Sequence, residues 1–364
     1  MSIISAIVSL VALLVIAGSS TQIFPNWPNS SLGVSQVLFN SLEELARIVD
    51  NAYCVGSTGI QYPFKCLNHC DDFPSFELVT TWHTGPLMTD SCGYIAVSHP
   101  PLAERIIVAF RGTYSLADTV ADLNTYPVDY KPYIPNKPER EDPCISQHEL
   151  SNQGQIEQVF VHKNAEVERE CGKCTVHSGF WSAWQKTRCF LVSQIEDAMA
   201  RFPGYRLELV GHSLGGAVAA LASLELQTRG LNPHLTTFGE PRMGNCQFAA
   251  YFNKRFNLTD QDPAHSKYVR VTHVGDPIPL LPAQSWGFYP HAGEIFISKG
   301  GLPPTPQDLR QRNDNKNPRC ASLGSASADS DSLTLQSSPL WDPVAAHRDY
   351  FWRLGVCLPH LGGM

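Results

Sequence analysis

The sequence predicts an α/β fold: a central, mostly parallel sheet with helices on both faces. Two observations carry that expectation. Short apolar runs rich in β-branched residues alternate with helical patterns, and each run ends at a Gly or Asp turn. The runs read as buried strands, which suits a sheet covered on both sides. A third observation bounds the size: 364 residues without internal repeats suit one large α/β domain better than several small ones.

Taken in order, a helical pattern over 41–54 precedes the first buried strand, "RIIVAFRG" (105–112). A long helix over 180–202 stops at Pro203-Gly204, a strong breaker. "YRLELVG" (205–211) is the next strand, followed at 217–228 by a helix of small residues, "AVAALASLELQT". "HLTTFG" (234–239) and "KYVRVTHVGD" (267–276) complete the set. Two stretches read as surface insertions. Residues 130–170 are polar and charged, and residues 310–338 are rich in Ser, Asn and Asp. The N-terminal residues 3–16 are apolar but too short for a comfortable membrane span, and Ala17-Gly18-Ser19 offers a small-residue cleavage site. This predicts a signal peptide over 1–19 and a single domain over 20–364. No Lys or Arg precedes Arg47, which leaves a retained anchor as the alternative.

The formal net charge is −7, with Lys and Arg scattered, so a basic face for nucleic acid is not expected. Eleven cysteines fit an oxidising compartment. In that setting "CLNHC" (Cys66, Cys70) and "CGKC" (Cys171, Cys174) read as small disulfide loops rather than zinc sites. The odd count leaves at least one thiol unpaired in a monomer; Cys189, on an apolar helix face, and Cys246 are the candidates. Sequons at Asn29 and Asn257 agree with export.

The chemistry centres on "GHSLG", which fits Gly-x-Ser-x-Gly between an apolar strand and a small-residue helix. A sharp turn there lifts Ser213 above the sheet, and the flanking Gly211 and Gly215 keep β-carbons out of the crowded bend. The following helix points its N-terminal amides at developing negative charge. A serine needs a base, and the base needs an orienting acid. After Ser213, Asp276 lies just beyond a strand in "VTHVGDPIPLLP", whereas Asp260 and Asp262 sit in a polar loop. His291, His347 and His360 all follow Asp276, and order alone favours His347 only modestly. His212, beside the nucleophile, reads as a packing or hydrogen-bonding residue. Leu214 supplies an amide for the oxyanion by position, and Thr113, at the turn after a strand, is the second candidate.

These stretches resemble the filamentous-fungal class 3 triacylglycerol lipases, α/β-hydrolase-fold enzymes of the Rhizomucor and Thermomyces type. "NAYC" (51–54), "IVAFRGT" (107–113), "VHSGF" (176–180), "GHSLGG" (211–216), "FGEPRMGN" (238–245), "VTHVGDPIPLLP" (271–282), "HRDYF" (347–351) and "GVCL" (355–358) run in family order. The resemblance implies a Ser213–Asp276–His347 triad, oxyanion donors at Thr113 and Leu214, and bridges Cys54–Cys357, Cys66–Cys70 and Cys171–Cys174. It places a lid over 115–123, with Leu116, Thr119 and Val120, where well-known members carry a tryptophan in place of Thr119. Ile278 and Leu280 are candidates for an acyl-chain wall or for core packing. The expected protein is a secreted ester hydrolase, foremost a triacylglycerol lipase, needing no metal or cofactor. Its expected partners are an ester substrate and a transient lipid–water interface, with no nucleic acid and no obligate protein partner. The alternatives are an esterase of feruloyl or short-chain esters, a phospholipase A1, or a non-catalytic binding protein.

Overall fold

The computed structural model describes residues 33–85, 90–113, 126–135, 171–258, 266–312 and 343–358. The predicted signal peptide, the lid residues Leu116, Thr119 and Val120, the rivals Asp260, Asp262 and His360, and Asn29 lie outside the described residues, as does most of both insertions.

Eight strands form one sheet: β1 (Phe76–His83), β2 (Cys92–Ser98), β3 (Arg105–Phe110), β6 (Arg206–His212), β7 (His234–Phe238), β8 (Tyr268–His273), β9 (Glu294–Ile297) and β10 (Leu309–Arg312), in that spatial order. β3, β6, β7, β8 and β9 run parallel, while β1 and β2 at one edge and β10 at the other pair antiparallel. A short ribbon of β4 (Pro127–Asp129) and β5 (Thr175–His177) stands apart from the sheet. Among the described residues the α-helices are α1 (Gln36–Asn51), α2 (Ser178–Arg201), α3 (Leu214–Thr228), α4 (Cys246–Phe256) and α5 (Pro343–Arg348).

The period-two geometry of strands divides the apolar residues into two cores. Ile106, Val108 and Phe110 of β3 join α2, α3 and α4 on one face. Ile107 and Ala109 join α1 and the C-terminal Tyr350, Phe351 and Leu354 on the other. α1 begins earlier than the apolar pattern suggested, because the Ser35 hydroxyl accepts from the Leu38 amide at 3.2 Å and caps it. It ends at Asn51, and a 3₁₀ turn carries the chain on to Cys54. α4 was not expected; Asn245 caps it by accepting from Phe248 N at 2.9 Å.

Three further expectations need correction. The stretch starting at Tyr130 does not begin as a polar surface loop: Tyr130 packs edge-on against Trp181 and Phe248 in the core. The stretch from Arg310 begins inside β10, because Arg310–Arg312 complete its ladder with β9. Cys189 and Cys246 are both disulfide-bonded; an apolar face accommodates a half-cystine as readily as a thiol. Among the described residues the free cysteine is the buried Cys92. Cys54–Cys357, Cys66–Cys70 and Cys171–Cys174 are closed. The first spans 303 residues, and in the chain-entropy model a loop that long removes entropy equivalent to roughly 6 kcal/mol from the unfolded state. No described helix is long and apolar enough to cross a membrane.

Candidate active site

The site lies at the carboxyl ends of the parallel strands, where an open α/β sheet presents its loops. β6 runs into Ser213, which has φ 57° and ψ −131°. That left-handed backbone is costly for a residue with a β-carbon, on the order of 1–3 kcal/mol. It is held by the Ser213 amide donating to Phe238 O at 2.8 Å and by α3 starting at Leu214. The strain makes the side chain stand off the turn instead of joining the sheet.

β8 delivers Asp276 and α5 delivers His347, so three segments far apart in sequence converge. His347 Nδ1 lies 3.0 Å from both Asp276 carboxylate oxygens, and its Nε2 lies 2.8 Å from Ser213 Oγ. A carboxylate only accepts, so Nδ1 carries the proton and Nε2 presents a lone pair to the serine hydroxyl. Ser213, Asp276 and His347 are 1%, 5% and 5% exposed. Little water therefore competes for these bonds, and each is electrostatically stronger than at the surface.

Asp276 is held by more than the histidine. The Ile278 amide donates to its Oδ1 at 2.9 Å and the Tyr350 hydroxyl to its Oδ2 at 2.5 Å. Burial first, and then the Asp276 charge, push the Tyr350 hydroxyl well above its ordinary range, so it stays a neutral donor. Gly239 (φ 60°) closes the back of the triad: a β-carbon there would meet Tyr350 Oη at 2.8 Å and His347 Cε1 at 2.9 Å. Sequence reasoning missed Tyr350 and Gly239. Both stood in quoted stretches, "HRDYF" and "FGEPRMGN", but nothing in a one-dimensional pattern says that they meet.

Of the other candidates, Thr113 is half-buried and follows Gly112. Gly112 approaches the nucleophile so closely that a β-carbon on it would lie 2.7 Å from Ser213 Cβ. Leu214, the first residue of α3, is 4% exposed. Ile278 is fully buried within the core that α2, α3 and α4 share, while Leu280 is half-buried. His291 is not brought to the serine. Its Nε2 lies 2.8 Å from Glu240 Oε1 and its Nδ1 3.1 Å from Ala292 O. His212 is buried, with contacts at both ring nitrogens.

A serine on a strand-to-helix turn, within hydrogen-bond reach of a histidine that a carboxylate from a later loop of the same parallel sheet holds, is the arrangement expected of a serine hydrolase on an α/β-hydrolase fold. Comparison with known proteins agrees. A family model described as "Lipase (class 3)" matches residues 107–286. Lipase A of Sodiomyces alcalophilus is 41% identical over 368 residues, covering 90% of this chain and 83% of that protein. A protein of Gibberella zeae named secreted mono- and diacylglycerol lipase 2 is 40% identical over 380 residues, covering 94% of this chain and 88% of that protein. The crystal structure of Lip2 lipase from Yarrowia lipolytica superposes with a TM-score of 0.68 at 27% identity, covering 90% and 97% of the two chains. The chain belongs to the class 3 lipase family and is a carboxylic ester hydrolase.

Proposed function

We propose that this protein is a secreted triacylglycerol lipase whose catalytic residues are Ser213, His347 and Asp276. The observation that carries the reading is the unbroken run Asp276–His347–Ser213, with contacts of 3.0 and 2.8 Å. His347 Nε2 removes the Ser213 proton as Oγ attacks the ester carbonyl, and the resulting imidazolium is stabilised by the Asp276 carboxylate. The developing oxyanion is received by the amides of Leu214 and Thr113, which flank the nucleophile from α3 and from the turn after β3. The imidazolium then protonates the leaving glycerol oxygen, and water attacks the acyl-serine by the same route in reverse.

Secretion is supported by the disulfides and by relatives named as secreted lipases. The substrate is an acylglycerol approached from a lipid–water interface, with Leu280 at the acyl-chain wall. The relative named a mono- and diacylglycerol lipase favours partial glycerides as a second substrate set. The test is initial rates on tributyrin, triolein, diolein and methyl ferulate, from dissolved to emulsified concentrations. A rate jump at the emulsion boundary with triolein cleaved supports the reading. Diolein cleaved and triolein spared moves it to partial glycerides, and saturation on methyl ferulate alone overturns it.

A further inference from the structure

His212 is the last residue of β6 and the immediate neighbour of the nucleophile, yet it faces neither solvent nor substrate. Its Nε2 lies 2.9 Å from the backbone carbonyl of His347. A carbonyl only accepts, so Nε2 carries the ring proton and Nδ1 is left as an acceptor. Nδ1 lies 2.5 Å from the hydroxyl of Tyr53, so that hydroxyl donates to it. The Tyr53 oxygen in turn accepts from the Gly112 amide at 3.1 Å. Every bond in this chain therefore has one possible direction: Gly112 N–H to Tyr53, Tyr53 O–H to His212, and His212 N–H to the carbonyl of His347.

The two ends of the chain matter. Gly112 precedes Thr113, whose amide is assigned to the oxyanion, and His347 supplies the base. The chain thus ties the electrophilic side of the site to the basic side. The His212 ring also stacks on His347, with centroids 4.8 Å apart and planes 30° apart. A second cation there would oppose the imidazolium that forms on His347 during turnover. Burial, followed by the neighbouring His347, holds His212 well below its ordinary range, and burial holds the Tyr53 hydroxyl well above its own. Both groups are thereby held in their neutral forms.

We propose that His212 is a positioning residue for ester hydrolysis: through its single available tautomer it fixes the backbone of His347 and, by way of Tyr53, the turn that carries the oxyanion amide. The inference rests on the triad reading above. His212→Phe keeps an aromatic ring for the stack and removes both hydrogen bonds. It should lower kcat about 10- to 100-fold at nearly constant KM, the cost of a catalytic group displaced by a fraction of an ångström to an ångström. Labelling of Ser213 by a fluorophosphonate should slow in parallel. His212→Gln, which places a donor where Nε2 stood, should recover most of kcat. The double variant with Tyr53→Phe should be little worse than His212→Phe alone, because the two residues act as one chain.

A His212→Phe enzyme with kcat within twofold of the parent overturns the proposal, as does strict additivity with Tyr53→Phe. Should His212→Phe fail to fold, Tyr53→Phe carries the test: a fall in kcat at constant KM supports the chain, and an unchanged kcat overturns it. Failure of the triad reading is visible separately, as hydrolysis surviving in Ser213→Ala.

Discussion

Among the described residues, two buried histidine–carboxylate contacts are 3.0 Å or shorter, and one of the two histidines also meets a serine. His347 meets Asp276 at 3.0 Å, and His291 meets Glu240 at 2.8 Å. The difference lies in the second nitrogen. His347 Nε2 is turned to Ser213 Oγ, whereas His291 Nδ1 is turned to the carbonyl of Ala292, and Tyr268 donates to the second oxygen of Glu240 at 2.8 Å. Both ring nitrogens of His291 are taken up by oxygen partners within the core, and neither reaches a serine. A carboxylate beside an imidazole is therefore not enough to make a base; what the other nitrogen faces decides.

Substitution can break that comparison, beginning with the largest effect. Ser213→Ala should lower kcat by on the order of 10⁵-fold or more, read from steady-state hydrolysis of a soluble ester. Asp276→Asn should follow at about 10⁴-fold, since an amide opposite Nδ1 favours the wrong tautomer. Glu240→Gln, the matching change in the other pair, should leave kcat within about threefold. It should instead reduce stability by about 1–3 kcal/mol, seen as a lowered denaturation midpoint. A large loss of kcat there would show that the two pairs are not independent. Tyr350→Phe removes one donor from the Asp276 carboxylate and should cost about tenfold in kcat with a small change in midpoint.

The smallest effect concerns pH. Asp50 is 2% exposed, accepts from Asn68 Nδ2 and from the Gly355 amide at 2.7 Å each, and lies 3.7 Å from His69 Nε2, with the Arg348 charge nearby. Burial outweighs those partners and raises its carboxyl to about 7. A carboxyl raised on folding stabilises the protein fully at acid pH, and that contribution is lost as pH rises through the folded value. The parent should therefore lose a few degrees of midpoint between pH 4 and pH 8 relative to Asp50→Asn, with kcat unaffected by the substitution.

How much of this was legible in the sequence follows the same division. β3, β6, β7 and β8 were visible because interior parallel strands are apolar on both faces. β1 was not, because "FELVTTWH" lies at the sheet edge and is largely half-exposed. β9 and β10 are four residues each, too short for a periodic signal. In the site, Ser213 announced itself through local turn chemistry. The contest between His291 and His347 could not be decided from residue order, because it depends on Glu240, a partner of His291 only in three dimensions. The same holds for His212: its neighbours in sequence are glycine and serine, while its partners are Tyr53 and a carbonyl 135 residues away.

The distance along the chain between nucleophile and base has a consequence in time. Ser213 and His347 are separated by 134 residues. At a synthesis rate of about 5–20 residues per second, roughly 7 to 27 seconds pass between the appearance of one and of the other. Throughout that interval Ser213 lacks the histidine proposed above as its base. The late segment that brings His347 also brings Cys357, the partner of Cys54. Covalent closure of the molecule and completion of the proposed triad thus wait on the same short stretch of chain.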